Sequence, residues 1–357
     1  MILILTLLLA SSSLSLAPNP TTFTIPLSPI FTKNQPSDPI KTLNSLASSS
    51  LTRAHHLKHP KSKPPLPKTK VFSHGYYYSI SLNFGTPPQA ISFMLDTGSS
   101  PVWFPCTSRY TCNGCSRDPL KNPLFIPKRP SSKFIDCQNP KCARISKSNL
   151  FSQKFGCQGC NCSQACSYLF SYGKGSTLGR LLSETLDFPE KLFTNILVGC
   201  STYSTQQPSA RVGIAGFGRT RESLPSQLGL SKFSYCLISQ WFSNTSESSD
   251  LVLYRGSSSD AETPGLSYTP FRKNPSFPFF YYADLLEVIV GKSVIIPCKY
   301  VPENNGNGGT MVDSGTTFTS MKGPIFDVVA GAFAAEMRHL NFSIASAGPK
   351  WPISINF

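Results

Sequence analysis

Residues 93–100 read Phe-Met-Leu-Asp-Thr-Gly-Ser-Ser, and residues 310–317 read Thr-Met-Val-Asp-Ser-Gly-Thr-Thr. Each copy is an apolar strand pattern running into Asp, a hydroxyl residue, Gly and two further hydroxyls. A single Asp-x-Gly is an ordinary turn signal. Two matching copies, with matching flanks, predict a duplicated lobe that brings Asp96 and Asp313 face to face.

Two carboxyls held about a hydrogen bond apart cannot both ionise cheaply, so such a pair shares a proton. One then serves as general base and the other as general acid, which suits attack of water on an amide. Gly98 and Gly315 permit the tight turns and close approach of backbone N–H groups. Ser99 and Thr316 are placed to hydrogen-bond the outer carboxylate oxygens. Thr97 and Ser314 sit where a hydroxyl reaches the opposite loop's backbone.

With these loops, the chain resembles the pepsin-like aspartic peptidases. Trp103 follows in Asp-Thr-Gly-Ser-Ser-Pro-Val-Trp, and Tyr172-Gly173-Lys174-Gly175-Ser176 is similar to the family's flap tip. Val212-Gly-Ile-Ala-Gly-Phe-Gly218 is similar to the apolar-apolar-Gly strand beside the first active-site loop. Ser223-Leu-Pro-Ser-Gln-Leu228 and Phe233-Ser-Tyr-Cys-Leu237 resemble the plant nepenthesin-like subgroup. The resemblance implies a mostly β, bilobal double-β fold with few short helices. It also implies catalytic Asp96 and Asp313, a flap of Tyr172, Gly173 and Gly175 backed by Trp103, a polypeptide substrate, and no cofactor or metal. Lys174 departs from the subgroup, which often has an acidic or small polar residue there.

Residues 1–17 carry no charged side chain and end in Ser-Leu-Ala. Their apolar run is too short to span a bilayer, so they read as a signal peptide. Residues 18–70 hold eight Lys/Arg against one Asp, in a chain of net charge +15. Such a tract fits a solvated arm or nucleic-acid affinity. Family resemblance implies instead a basic pro-segment over an acidic cleft, a partner of the enzyme within a zymogen; nucleic acid and a membrane anchor are not expected as partners. The remaining division is a catalytic lobe at 71–242, with a Cys-rich insert at about 106–166, and a partial second lobe at 243–357.

Nine of the 12 cysteines fall between Cys106 and Cys166. Cys112-Asn-Gly-Cys115 and Cys157-Gln-Gly-Cys160 have zinc-site spacing. Behind a signal peptide, disulfides are the expected outcome. Asn161, Asn244 and Asn341 open glycosylation sequons. The route is secretory, with an extracellular or apoplastic destination or the vacuole.

Strands are expected at 76–84, 90–95, 167–171, 178–188, 193–199, 233–238, 251–254, 266–271 and 281–296, and helices at 224–228 and 325–338. The second helix is expected to cover the Asp313 loop as core. No second apolar-apolar-Gly segment follows Asp313, which the resemblance reads as a truncated second lobe. The expected activity is a secreted, monomeric aspartic endopeptidase of plant type. The rival is a non-catalytic binding or inhibitor protein on the same scaffold, as in the plant xylanase-inhibitor relatives. No Gly-x-Ser-x-Gly elbow supports a serine hydrolase.

Overall fold

Alternation of apolar and polar residues builds the first hairpin. Strand β2 (Tyr78–Phe84) buries Ile80, Leu82 and Phe84 and exposes the residues between them. It pairs antiparallel with β3 (Gln89–Asp96) in the register Phe84↔Gln89 to Ser79↔Met94. Gly85 makes the turn at φ +92°, in the left-handed region that favours glycine. Toward its C-terminal end β3 is buried on both faces, as a central strand must be.

A computed structural model describes residues 21–29, 77–115, 122–148, 165–173, 175–188, 191–206, 211–237, 249–255, 267–294 and 303–339. The expected signal segment, Lys174, Asn161, Asn244 and Asn341 lie outside the described residues, as do residues 238 and 266 at two expected strand ends.

The fold is mostly β and bilobal, with few short helices. Its main body is a 12-stranded sheet. Strand β4 (Val102–Pro105) follows the first Asp loop, and β10 (Gly213–Gly216) threads between β3 and β4. The passage is tight: a Cβ on Gly216 would lie 2.3 Å from the Ser100 carbonyl carbon. The flap hairpin joins β7 (Ser167–Tyr172) to β8 (Gly175–Phe188), and β8 pairs along its length with β9 (Lys191–Thr205). Phe84, Phe93, Phe104 and Phe125 fill the core between these layers, with ring centroids 4.5–6.0 Å apart in their contacts.

The basic tract is more than an arm. Strand β1 (Thr21–Pro29) lies between β2 and β12 (Ser249–Arg255), and it pairs antiparallel with both. Strand β11 (Lys232–Tyr235) then closes that end of the sheet on β12. Seven residue pairs join β1 to β12, so removing β1 would bare two strand edges.

Helix α1 (Pro140–Ser148) lies in the Cys-rich insert. Helix α2 (Leu224–Leu228) is capped by the Ser223 side chain and by Gly229 at φ 64°. Cys112 is bonded to Cys115, so this pair is not half of a zinc site. Cys142 pairs with Cys166, and Cys106 at the end of β4 pairs with Cys200 on β9.

Around Asp313 the strands are short. β13 (Tyr282–Ala283) pairs with β16 (Thr310–Met311), and β14 (Ile289–Val290) pairs with β15 (Ser293–Val294). The single long strand expected at 281–296 is therefore broken; Gly291, at φ 59°, turns the chain back. No strand forms at 267–271. Helix α3 (Gly323–His339) forms, but it buries no residue; Val328 and Phe333 are 53% and 58% exposed. The expected core role for this helix is corrected: Ile325, Phe326, Val329, Ala332 and Met337 are only half-buried.

The Cys106–Cys200 bond closes 94 residues. We expect its replacement by an alanine pair to cost roughly 2–5 kcal/mol, measured by urea unfolding against the parent. A loss under about 1 kcal/mol would mean that the flanking strands hold this join without the bond.

Candidate functional site

Both Asp loops close on their own carboxylates in the same way. Asp96 ends β3 and is 0% exposed. The Gly98 N–H donates to its Oδ1 at 3.1 Å, and the Ser99 hydroxyl donates to its Oδ2. At Asp313 the Gly315 N–H donates to Oδ1 at 2.8 Å, and the Thr316 hydroxyl donates to Oδ2 at 2.6 Å. Asp313 is half-buried, so the two carboxylates occupy unequal environments.

The second residues of the loops lock the lobes together. The Ser314 N–H donates to Thr97 Oγ1 at 2.8 Å, and the Thr97 N–H donates to Ser314 Oγ at 3.0 Å. Each hydroxyl in turn donates to the strand before the opposite loop: Thr97 to the Val312 carbonyl at 3.3 Å, and Ser314 to the Leu95 carbonyl at 3.0 Å. Only a hydroxyl both accepts and donates in this way at so short a reach. The four bonds contribute about 0.5–1.5 kcal/mol each.

Segment 217–218 supports the Asp96 loop from beside β10. The Phe217 N–H donates to the Asp96 carbonyl, and the Gly218 N–H to the Ser99 carbonyl. Tyr172 is 9% exposed, and its hydroxyl accepts from Trp103 Nε1 at 2.8 Å. Trp103 is fully buried. The flap tyrosine is thus tied to the core strand β4. Gly175 stands opposite Tyr172 at the hairpin end, and Gly173 is buried.

Two tyrosines at the site carry no sequence signal of their own. Tyr235 was visible only as part of the Phe-Ser-Tyr-Cys-Leu motif. Burial raises its hydroxyl pKa, a hydrogen bond with Thr97 lowers it, and the Asp313 charge raises it. Tyr281 donates to the Phe217 carbonyl at 2.7 Å, a second link between the lobes. Burial pushes Tyr281 up to about 12, against a smaller lowering by Arg219.

The site therefore holds two caged carboxylates, a lobe lock and a pinned flap tyrosine. Paired carboxylates can in principle move a proton, but that chemistry needs a fixed spacing. Asp96 stands on the 12-stranded sheet, whereas Asp313 follows a strand of two residues. Among the described residues no group of three His, Cys, Asp or Glu is placed to hold a metal.

Residues 78–253 match the family model "Xylanase inhibitor N-terminal", and residues 280–352 match "Xylanase inhibitor C-terminal". Among curated proteins, the probable aspartyl protease At4g16563 of Arabidopsis thaliana is 31% identical over 73% of this chain and 59% of its own length. Nepenthesin-1 of Nepenthes gracilis is 33% identical over 76% of this chain and 58% of its own. The chain thus spans about three fifths of the length of these relatives. Among solved structures, conglutin gamma, a basic 7S globulin from lupine seeds, aligns with a TM-score of 0.51 at 17% identity, covering 89% of this chain and 70% of that one. The protein edgp aligns with a TM-score of 0.57 at 16% identity, covering 92% and 73%. At these identities the structures establish the fold alone.

These findings correct the expected aspartic endopeptidase, with its polypeptide substrate and its own pro-segment as partner. The models that match both lobes are those of xylanase inhibitors. The correction has a physical side. β1 falls inside the expected removable segment and is a paired internal strand.

We expect Thr97→Val to lower unfolding free energy by roughly 1–3 kcal/mol, since it leaves the Ser314 N–H unsatisfied. A double-mutant cycle with Ser314→Ala should show coupling of about 0.5–3 kcal/mol. Additive losses would mean that the hydroxyls act separately. Burial also pushes Tyr282 up to about 12. Above the ordinary value of 10.0 the unfolded chain loses these tyrosine protons first. Stability contributed below pH 10 is therefore lost as the pH rises toward 12. Unfolding measured from pH 9 to 12 should show this fall, and Tyr282→Phe should flatten it.

Proposed function

We propose that this chain, a pepsin-like bilobal β-protein related both to aspartic proteases and to non-catalytic xylanase-inhibitor and 7S-globulin proteins, works as a binding protein. Its partner class is a secreted polysaccharide-degrading enzyme of the xylanase kind. The observation that carries this reading is the pair of family matches, one on each lobe. The geometry fits it. A binding scaffold needs two lobes held at a fixed relation, and the Thr97–Ser314 lock supplies that. It needs no proton shared between the carboxylates.

On this reading Asp96 and Asp313 shape their loops: each carboxylate satisfies a glycine N–H and a hydroxyl of its own turn. Tyr172, held by Trp103, is a fixed part of the packing beneath the hairpin end of the first lobe. By descent we assign the chain to the nepenthesin-like plant branch, supported by its 33% identity to nepenthesin-1. We retain the division near residue 71 but place the second boundary after β12, since β1 and β12 both lie in the first lobe's sheet. The secretory setting is supported by three disulfides, which form and persist in oxidising compartments.

The test is an enzyme inhibition assay. The purified chain should slow xylan hydrolysis by at least one of a panel of microbial endo-xylanases, and casein incubated with it at about pH 4 should stay intact. Casein cleavage that Asp96→Asn abolishes, with no xylanase slowed, would sink the reading.

A further inference from the structure

An aromatic ladder climbs from the core to the surface where the two lobes meet. Phe217 is fully buried beside the Asp96 loop. Phe233 on β11 packs edge-on against it at 5.1 Å, and Tyr281 packs edge-on against Phe233 at 6.1 Å. Phe271 lies 5.1 Å from Tyr281 and is 56% exposed. The Arg219 guanidinium caps the ladder, 5.9 Å from the Phe271 ring and 6.0 Å from the Tyr281 ring. Its backbone N–H is held by the Phe279 carbonyl at 3.0 Å.

Among the described residues no carboxylate pairs with the charge at this cap. Arg219 is exposed and makes no ion pair among the described residues. Asp284, close in sequence to Tyr281, is taken by Arg272 at 2.6 Å, and Glu222, close in sequence to Arg219, is buried. Arg221 and Lys273, close in sequence to the two ends of the cap, are exposed cations. The whole chain carries a formal charge of +15.

We propose that Arg219, with Phe271 and Tyr281 beneath it, is the anchor of a docking surface for the acidic face of a folded protein partner. The inference rests on the binding function above and names the surface that carries it. An arginine already laid on aromatic rings loses little freedom on binding, and its planar fork matches a carboxylate. Arginine and tyrosine dominate the energetic centres of protein interfaces. Here both stand at the end of a ring-on-ring path that reaches the fully buried Phe217. Long-range attraction between the basic chain and an acidic face raises the rate of encounter.

The experiment measures binding of the full chain to two probes, an endo-xylanase of acidic isoelectric point and one of basic isoelectric point. The acidic enzyme should bind at least about tenfold more tightly, and added salt should weaken it. Arg219→Glu should weaken that binding by about tenfold or more, and Arg219→Lys by less, because lysine keeps the charge and loses only the fork. Lys133→Glu makes the same charge change on the strand at the opposite end of the sheet from β11 and should leave affinity within about twofold. Near-ultraviolet circular dichroism checks that each variant keeps its aromatic packing. If the parent binds the acidic enzyme and folded Arg219→Glu binds it equally well, the surface is wrong and the binding function stands. If the parent binds neither enzyme, both fall. If polygalacturonate binds in place of the enzymes and Arg219→Glu abolishes that, the occupant is an anionic polysaccharide and the protein-docking proposal is overturned.

Discussion

The exchange of hydrogen bonds between Thr97 and Ser314 is the constraint on which the rest of the structure turns. Two turns separated by more than two hundred residues meet back to back, and each gives the other a donor and an acceptor. The chemistry is narrow. A carbon side chain at either position would leave a backbone N–H group without its partner in a part-buried seam. The glycines that follow the hydroxyls let the N–H groups fold onto the carboxylates, so each loop is rigid before it meets its twin. Two rigid pieces then lose little further entropy in joining.

This join matters more to one side than to the other. The Asp96 loop stands on β3, which is hydrogen-bonded to β2 and β10 within a wide sheet and buried under a phenylalanine cluster. The Asp313 loop follows two residues of strand, and its nearest core holds two buried side chains, Phe280 and Tyr282. Much of its order is borrowed across the seam. The Thr97–Ser314 lock, the Tyr281 bond to the Phe217 carbonyl and the Arg219 bond to the Phe279 carbonyl all tie the smaller part to the larger. The aromatic ladder crosses the same seam, so the surface offered to a partner and the join between the lobes are one physical object.

Much of this was legible in the chain, for reasons that are local. Strict alternation in β2 and the apolar run in β3 report burial directly. The helix at 224–228 forms where expected, and Ser223 and Gly229 are the residues that bound it. Less local features were hidden. Strand β1 sits in a tract whose charge suggested a solvated arm, yet nine of its residues complete a sheet through partners at 78–80 and 249–255. Pairing over such distances leaves no periodic trace in composition. The 281–296 segment reads as a single strand until Gly291 turns it. Apolar spacing in 323–339 called correctly for a helix but not for what it packs on, since periodicity shows a face and not its neighbour. Tyr235 and Arg219 owe their importance to what surrounds them, so neither stands out in the linear order.

The duplicated Asp-hydroxyl-Gly loop is persuasive as a catalytic signature, but every residue in it also has work to do in folding. The Asp96 carboxylate is wholly buried, and it closes its turn by accepting from Gly98 and Ser99. Removing it would strand a buried N–H and a hydroxyl, at a cost of about 1–3 kcal/mol for each lost partner. Thr97 and Ser314 would be retained for the lock alone, and the glycines for the close turns. A protein that had no use for proton transfer would therefore still be held to this motif by stability. Intact loops are thus evidence for the fold and the lobe seam, and much weaker evidence for hydrolysis. What separates a binding scaffold from a peptidase is the spacing of the two carboxylates under load. That spacing depends on how firmly the smaller lobe is braced. Among the described residues that brace is two short strand pairs and a seam, and the seam fixes the Asp313 loop against the larger sheet whether or not a proton is ever shared.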